Sequence, residues 1–121
     1  MSNNVSRLVI GEIVFSEKLD SFSGANVNVY LEDVSSLDAP SRIVVKQVIA
    51  DISHEIGTEN RVKFALKGEN LNEWASYSIR VHISLHGDEQ IHRGDYITME
   101  SYPVLTFGYP NQVLVYVQKV K

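Results

Sequence analysis

The chain has 121 residues, 44% of them hydrophobic and 21% charged, with a formal net charge of -4 and no cysteine. That length suits one domain able to bury roughly two thirds of its unfolded surface, and an acidic balance without a basic run excludes a nucleic-acid surface. The lack of cysteine excludes disulfides, thiolate metal sites and thiol nucleophiles.

Residues 1–6 are expected to be disordered. Met1 to Arg7 shows neither the basic nor the apolar stretch of a signal peptide, so the chain as read is expected to be cytoplasmic. Asn4-Val5-Ser6 matches a glycosylation acceptor, which needs a secretory route. No apolar stretch approaches the roughly 20 residues of a bilayer crossing, so no membrane insertion is expected.

From there the dominant pattern is an apolar residue at every second position, the period of a strand with one face buried. Leu8 to Ser16 reads as the first strand, with Gly11 marking a bulge or a close backbone approach. Ser21 to Gly24 supply a loop, and Val27, Val29 and Leu31 mark the second strand. It ends where Asp33, Ser35, Asp38 and Pro40 bring turn chemistry, and these four are assigned to a structural turn. A third strand spans Arg42 to Ile52. Ile43, Val45, Gln47 and Ile49 lie on one face of it and Val44, Val48, Ala50 and Ile52 on the other, which requires either cover on both sides or a bulge that switches the register.

His54 to Asn60 reads as a loop before a fourth strand that points Val62, Phe64 and Leu66 inward and Lys63 and Lys67 to water. Gly68 to Trp74 has room for one helical turn. Tyr77 to Leu85 is the clearest strand, and a short sixth from Gln90 to Arg93 should fold back on it. Tyr96 to Glu100 and Val104 to Phe107 are further short extended pieces, and the turn Gly108 to Asn111 leads into a last strand, Val113 to Val120. The expected architecture is all-β: one antiparallel sandwich of seven to eight strands over residues 1–121, with at most one short helical turn. An eight-stranded barrel is the nearest rival.

The hairpin after the fifth strand permits a register argument. If Leu85 and Ile91 both face the core, a three-residue loop Gly87 to Glu89 sets His86 opposite Gln90 and Ser84 opposite His92. His82, His86 and His92 then share the outer face, with His92 about 7 Å diagonally from each of the others. His86 and His92 become the candidate metal pair, while His82 and His86, about 13 Å apart on one strand, cannot share an ion. No serine elbow, phosphate loop, zincin helix or calcium loop is present, and the carboxylates are scattered. No catalytic residue and no cofactor are therefore assigned. Trp74, Tyr77, Tyr102 and Tyr109 fall at segment ends, where binding sites collect, and are the candidate partner-binding residues.

From Val27 onward the order of features resembles the YbaY-like and YscW-like family of small lipoproteins, which includes pilotin-like chaperones of type III secretion. The residues that carry the resemblance are Val27-x-Val29-x-Leu31-Glu32-Asp33-Val34-Ser35-x-x-Asp38-Ala39-Pro40 and the Val62-x-Phe64-x-Leu66 strand. They continue with Tyr77-Ser78-Ile79-Arg80-Val81-x-Ile83, Gly87-Asp88, Ile91, Thr98 and Val104-Leu105-Thr106. The resemblance implies a β-sandwich without catalytic residues and, for some members, binding of an outer-membrane secretin's tail. For a chain whose native N-terminus was removed it implies a periplasmic or outer-membrane setting.

The reading is a non-enzymatic, chaperone-like module for a protein partner, monomeric or homodimeric. Two alternatives stand beside it: a metal-binding or hydrolytic domain using the surface histidines, and a purely structural or oligomerisation domain.

Overall fold

The computed structural model describes residues 5–121. Every regular element in them is a strand: β1 (Val5–Phe15), β2 (Phe22–Asp33), β3 (Arg42–His54), β4 (Asn60–Leu71), β5 (Tyr77–Ser84), β6 (Tyr96–Ile97), β7 (Pro103–Val104), β8 (Gln112–Tyr116) and β9 (Gln118–Lys119). They form two sheets, ordered β4-β1-β8 and β3-β2-β5-β6-β9, and β7 shares with β6 one edge of β5. The fold is the all-β sandwich that the alternation predicts.

The alternating apolar residues meet between the sheets. Val9, Ile13 and Phe15 of β1, Phe64 and Leu66 of β4 and Val115 of β8 pack against Val27, Val29 and Leu31 of β2 and Ile79, Val81 and Ile83 of β5. Burying each large side chain of this set stabilises the fold by about 1.5–3 kcal/mol. At one end Phe15 and Phe22 pack edge-on at 5.7 Å, with His54 and Tyr96 closing the cluster. His54 bonds the Leu19 carbonyl through Nε2 at 3.2 Å and the Asn60 amide nitrogen through Nδ1 at 2.8 Å, so both ring nitrogens are engaged and the ring orientation is set.

Gly11 is a close approach. A Cβ there would lie 2.6 Å from both Cζ of Phe64 and the carbonyl oxygen of Val113, so its absence lets β4 and β8 close on β1. The third strand contains the register switch: β2 pairs Leu31 with Val45 but Glu32 with Ile43, which leaves Val44 as the extra residue. A second irregularity lies between Ile49 and Ile52, where Asp51 takes a φ of 61°.

Several expectations are corrected. β1 begins at Val5, inside the segment expected to be disordered, while residues 1–4, and with them the glycosylation acceptor Asn4, lie outside the described residues. β2 starts at Phe22, within the expected loop. The segment Gly68 to Trp74 forms no helical turn, because β4 runs on to Leu71, whose side chain is core. β1 and β8 run parallel, since the chain enters β8 from the other sheet and not through a hairpin with β1. The last strand breaks at Val117: β8 belongs to one sheet and β9 to the other, so this segment seams the sandwich along one side.

The hairpin register is also overturned. β5 pairs with Tyr96–Ile97, not with Gln90–Arg93, and both Leu85 and Ile91 are exposed. Segment 85–95 instead folds back over the outer face of the larger sheet, where Glu89 meets Lys46 of β3. Asn28, Glu32, His82 and Ser84, expected on a wet face, are buried.

Candidate functional site

The turn at 72–76 is tightly bonded, although it carries the most exposed aromatic ring in the described chain. Trp74 N–H donates to Oδ1 of Asn72 at 2.9 Å, Asn72 N–H to the Tyr77 hydroxyl at 2.8 Å, and Ser76 N–H to the Ser35 hydroxyl at 2.8 Å. The backbone is therefore fixed while the Trp74 side chain stays 74% exposed. Facing it is the loop 105–111, tied down by the Thr106 hydroxyl, which donates to the Ala75 carbonyl at 2.6 Å. Phe107 and Tyr109 project from that loop at 60% and 51% exposure. Between turn and loop lies a recess of about 270 Å³ lined by Arg7, Leu71, Asn72, Glu73 and residues 105–108.

The loop stores strain. Leu105 has a φ of 75°, and Thr106 N–H donates to the Val104 carbonyl at 2.9 Å, a three-residue γ-turn of the rare positive-φ kind. Phe107 follows at 55°. Arg7 holds the first of these by donating from Nη1 to the Leu105 carbonyl at 2.7 Å. Strain of this kind, of order 1–3 kcal/mol per residue, persists where surrounding structure over-determines it, and it clusters at ligand-contacting loops. Phe107→Gly is expected to raise stability in urea by about 1 kcal/mol, because glycine adopts this φ without the clash that a Cβ brings. An unchanged or lower midpoint would contradict that reading of the loop.

The other sequence candidates divide. Tyr109, like Trp74, is exposed. Tyr77 does not: its ring is core, and its hydroxyl is used on Asn72. Tyr102 is half-buried and links the two sheets, accepting at its hydroxyl from Tyr116 N–H at 3.0 Å. Asp33 accepts from Ser35 N–H at 2.9 Å and pairs with Arg42 at 3.5 Å. Burial works against ionisation there, but the Ser35 and Arg42 bonds outweigh it and hold the Asp33 carboxyl below its usual range. Asp38 and Pro40 are exposed.

The imidazoles of His86 and His92 do come together, with ring centres 4.4 Å apart, but by loop folding and not by strand pairing. His92 Nε2 is held by Asp88 at 3.0 Å. Among the described residues no group of three His, Cys, Asp or Glu side chains could hold a metal ion. His82 is not part of that surface at all. It is 1% exposed and donates from Nε2 to Oδ2 of Asp95 at 2.8 Å. Asp95, itself fully buried, also accepts from His92 N–H at 3.0 Å and Leu85 N–H at 3.1 Å, so one carboxylate ties both ends of the 85–95 segment to β5. Burial pushes its pKa up, yet the bonds from His82, His92 and Leu85 prevail and leave it lowered. The outer face continues with Arg80, which donates from Nε and Nη2 to Oε2 of Glu32 at 3.0 and 2.9 Å and lies 4.0 Å above the Tyr30 ring.

A larger recess, about 530 Å³, lies on the smaller sheet beside Gly11, walled by Ile10, Glu12, Lys63, Gln112 and Leu114. Its only ring, Phe64, is buried, so it offers no exposed aromatic anchor. The Trp74 end is the better candidate, since interface hot spots concentrate in tryptophan, tyrosine and arginine. Phe107 and Arg7 were missed in the sequence. Phe107 stands directly before the Gly108 turn, which was a usable signal, whereas nothing local marks Arg7 as a neighbour of Leu105.

Among the described residues no helix is long and apolar enough to cross a membrane. No curated protein matches the sequence. A solved structure, described as an alternative pilotin from the type II secretion system of Vibrio cholerae, is similar over 97% of this chain and 99% of that one. The identity is 24% and the TM-score 0.75, a likeness that establishes the shared fold. The family described as type III secretion system lipoprotein chaperone (YscW) matches residues 4–117, nearly the whole length, and the chain belongs to that family.

Proposed function

We propose that this chain is a non-enzymatic, chaperone-like module that captures an apolar segment of a protein partner at the Trp74 end of the sandwich. The observation that carries the reading is the exposure of Trp74, Phe107 and Tyr109 on the bonded turn 72–76 and the loop 105–111, which meet at a recess lined by Phe107. A large ring held on a fixed backbone loses little freedom on binding, which makes it an efficient anchor. Family membership and the pilotin-like fold support a secretion-system partner, with the C-terminal tail of a secretin as the first candidate, and a periplasmic setting.

Trp74 is the single tryptophan, so its emission reports the site directly. Titration with a secretin C-terminal peptide is expected to shift that emission to the blue as the indole leaves water. Trp74→Ala is expected to weaken peptide binding at least about tenfold, the effect of a hot-spot residue, while moving stability by no more than about 0.5 kcal/mol. Equal affinity of the variant and wild type, measured by calorimetry, would rule out this end as the site.

A further inference from the structure

We infer that β8 pairs edge to edge with β8 of a second copy of this chain, and that the Tyr102 hydroxyl limits the pairing. β8 is the outer strand of the smaller sheet, with β1 on one side and, among the described residues, no strand on the other. Tyr116 reveals which main-chain groups face that open side. Its N–H donates to the Tyr102 hydroxyl at 3.0 Å, and its carbonyl accepts from the same hydroxyl at 3.4 Å. Main-chain groups alternate along a strand, so those of Leu114 and Gln112 point the same way as those of Tyr116.

Natural sheets blunt such edges with charges, proline or bulges. The outer strands β3 and β4 carry Arg42, Lys46 and Asp51, and Arg61, Lys63, Lys67 and Glu69. β8 reads Gln-Val-Leu-Val-Tyr and has no charge, proline or glycine. Its order is also nearly palindromic about Leu114. An antiparallel pair with a two-fold axis at Leu114 places leucine against leucine on the exposed face and aligns each Val113 with the other copy's buried Val115, and no like charges are opposed. This self-complementarity selects a second copy over an unrelated extended segment.

The central Leu114 pair would exchange two main-chain hydrogen bonds. The flanking Gln112–Tyr116 pairs need the groups that Tyr102 already holds. Wild type is therefore expected to dimerise weakly, and Tyr102→Phe, which frees Tyr116, to dimerise at least about tenfold more tightly. Leu114→Lys, at a side chain already 46% exposed, sets two ammonium groups across the axis and is expected to leave only monomer.

Sedimentation equilibrium on the three proteins, with thermal melts to verify folding, tests the scheme. A folded Tyr102→Phe protein that remains monomeric, or a dimer that survives Leu114→Lys, would overturn it. The chain has no cysteine of its own, so Leu114→Cys gives an independent readout. A hydrogen-bonded antiparallel pair sets Cα atoms about 5.5 Å apart, within disulfide reach. Mild oxidation is expected to link Leu114→Cys into a covalent dimer much faster than a Lys67→Cys control, and equal rates would count against the pairing.

Discussion

Asp95→Ala is expected to lower the unfolding free energy by about 3–5 kcal/mol, a large share of the 5–15 kcal/mol that holds a domain of this kind together. The carboxylate is fully buried and accepts from His82 Nε2, His92 N–H and Leu85 N–H. Its removal leaves the buried His82 Nε2 without an acceptor, which costs about 1–3 kcal/mol, and releases the part-buried N–H groups of Leu85 and His92, so the 85–95 segment loses its anchor on β5. His82 Nδ1 already lacks a partner among the described residues, so the ring has no second anchor to fall back on. Asp95→Asn keeps the shape but turns an amide N–H₂ toward donors, and an intermediate loss is expected. Urea denaturation at neutral pH, followed by circular dichroism, measures all three proteins, and a loss under 1 kcal/mol for the alanine variant would refute the assigned role.

The same carboxylate gives a pH signature. Its pKa is lower in the folded protein than in the unfolded chain, because burial is outweighed by the bonds from His82, His92 and Leu85. Such a group contributes fully above its unfolded value, about 3.9, and its contribution disappears as pH falls through the folded value. Wild type should therefore lose stability below about pH 4 more steeply than Asp95→Ala. Asp33 is shifted the same way and titrates in both proteins, so the difference between the two curves isolates Asp95.

Gly11→Val should be nearly as damaging, by about 3 kcal/mol, through overpacking. Even the first added carbon would sit 2.6 Å from the Val113 carbonyl oxygen, and that atom belongs to the main chain and cannot rotate away. Phe64, whose Cζ is equally near, would have to leave its core position. The strain falls on the β1–β8 pairing from Ile10 to Val14, so hydrogen exchange at Val113 and Val115 should accelerate more than exchange in β2 or β5. Uniform acceleration across both sheets would mean that the damage is not confined to this seam.

Legibility in the sequence followed the distance over which each feature is decided. Val62, Phe64 and Leu66 alternate against Lys63 and Lys67, and β4 buries that set, because a period of two is imposed by the backbone of the strand itself. The switch in β3 was visible as apolar residues on both faces. The hairpin after β5 failed because its premise, that Leu85 and Ile91 are inward, required knowing that Asp95 draws segment 85–95 over the outer face. His82 was misassigned for the same reason: its position on the strand is local, but what covers it lies 13 residues away at Asp95. At the candidate site, Trp74 and Tyr109 could be picked out as turn aromatics, whereas Tyr77, with the same local signature, lies in the core.

Side-chain alternation and turn chemistry within a few residues were enough to place the five long strands, most of their inward residues, the all-β sandwich class and the kinship carried by the Leu31 to Pro40 stretch. That the final segment divides between two sheets, that β8 lies parallel to β1, that Asp95 is the buried hub of the outer face and that the Trp74 turn meets the Phe107 loop became visible only in three dimensions. Those contacts join separate segments of the chain, and they are fixed by how sheets and loops pack and not by any periodicity along a strand.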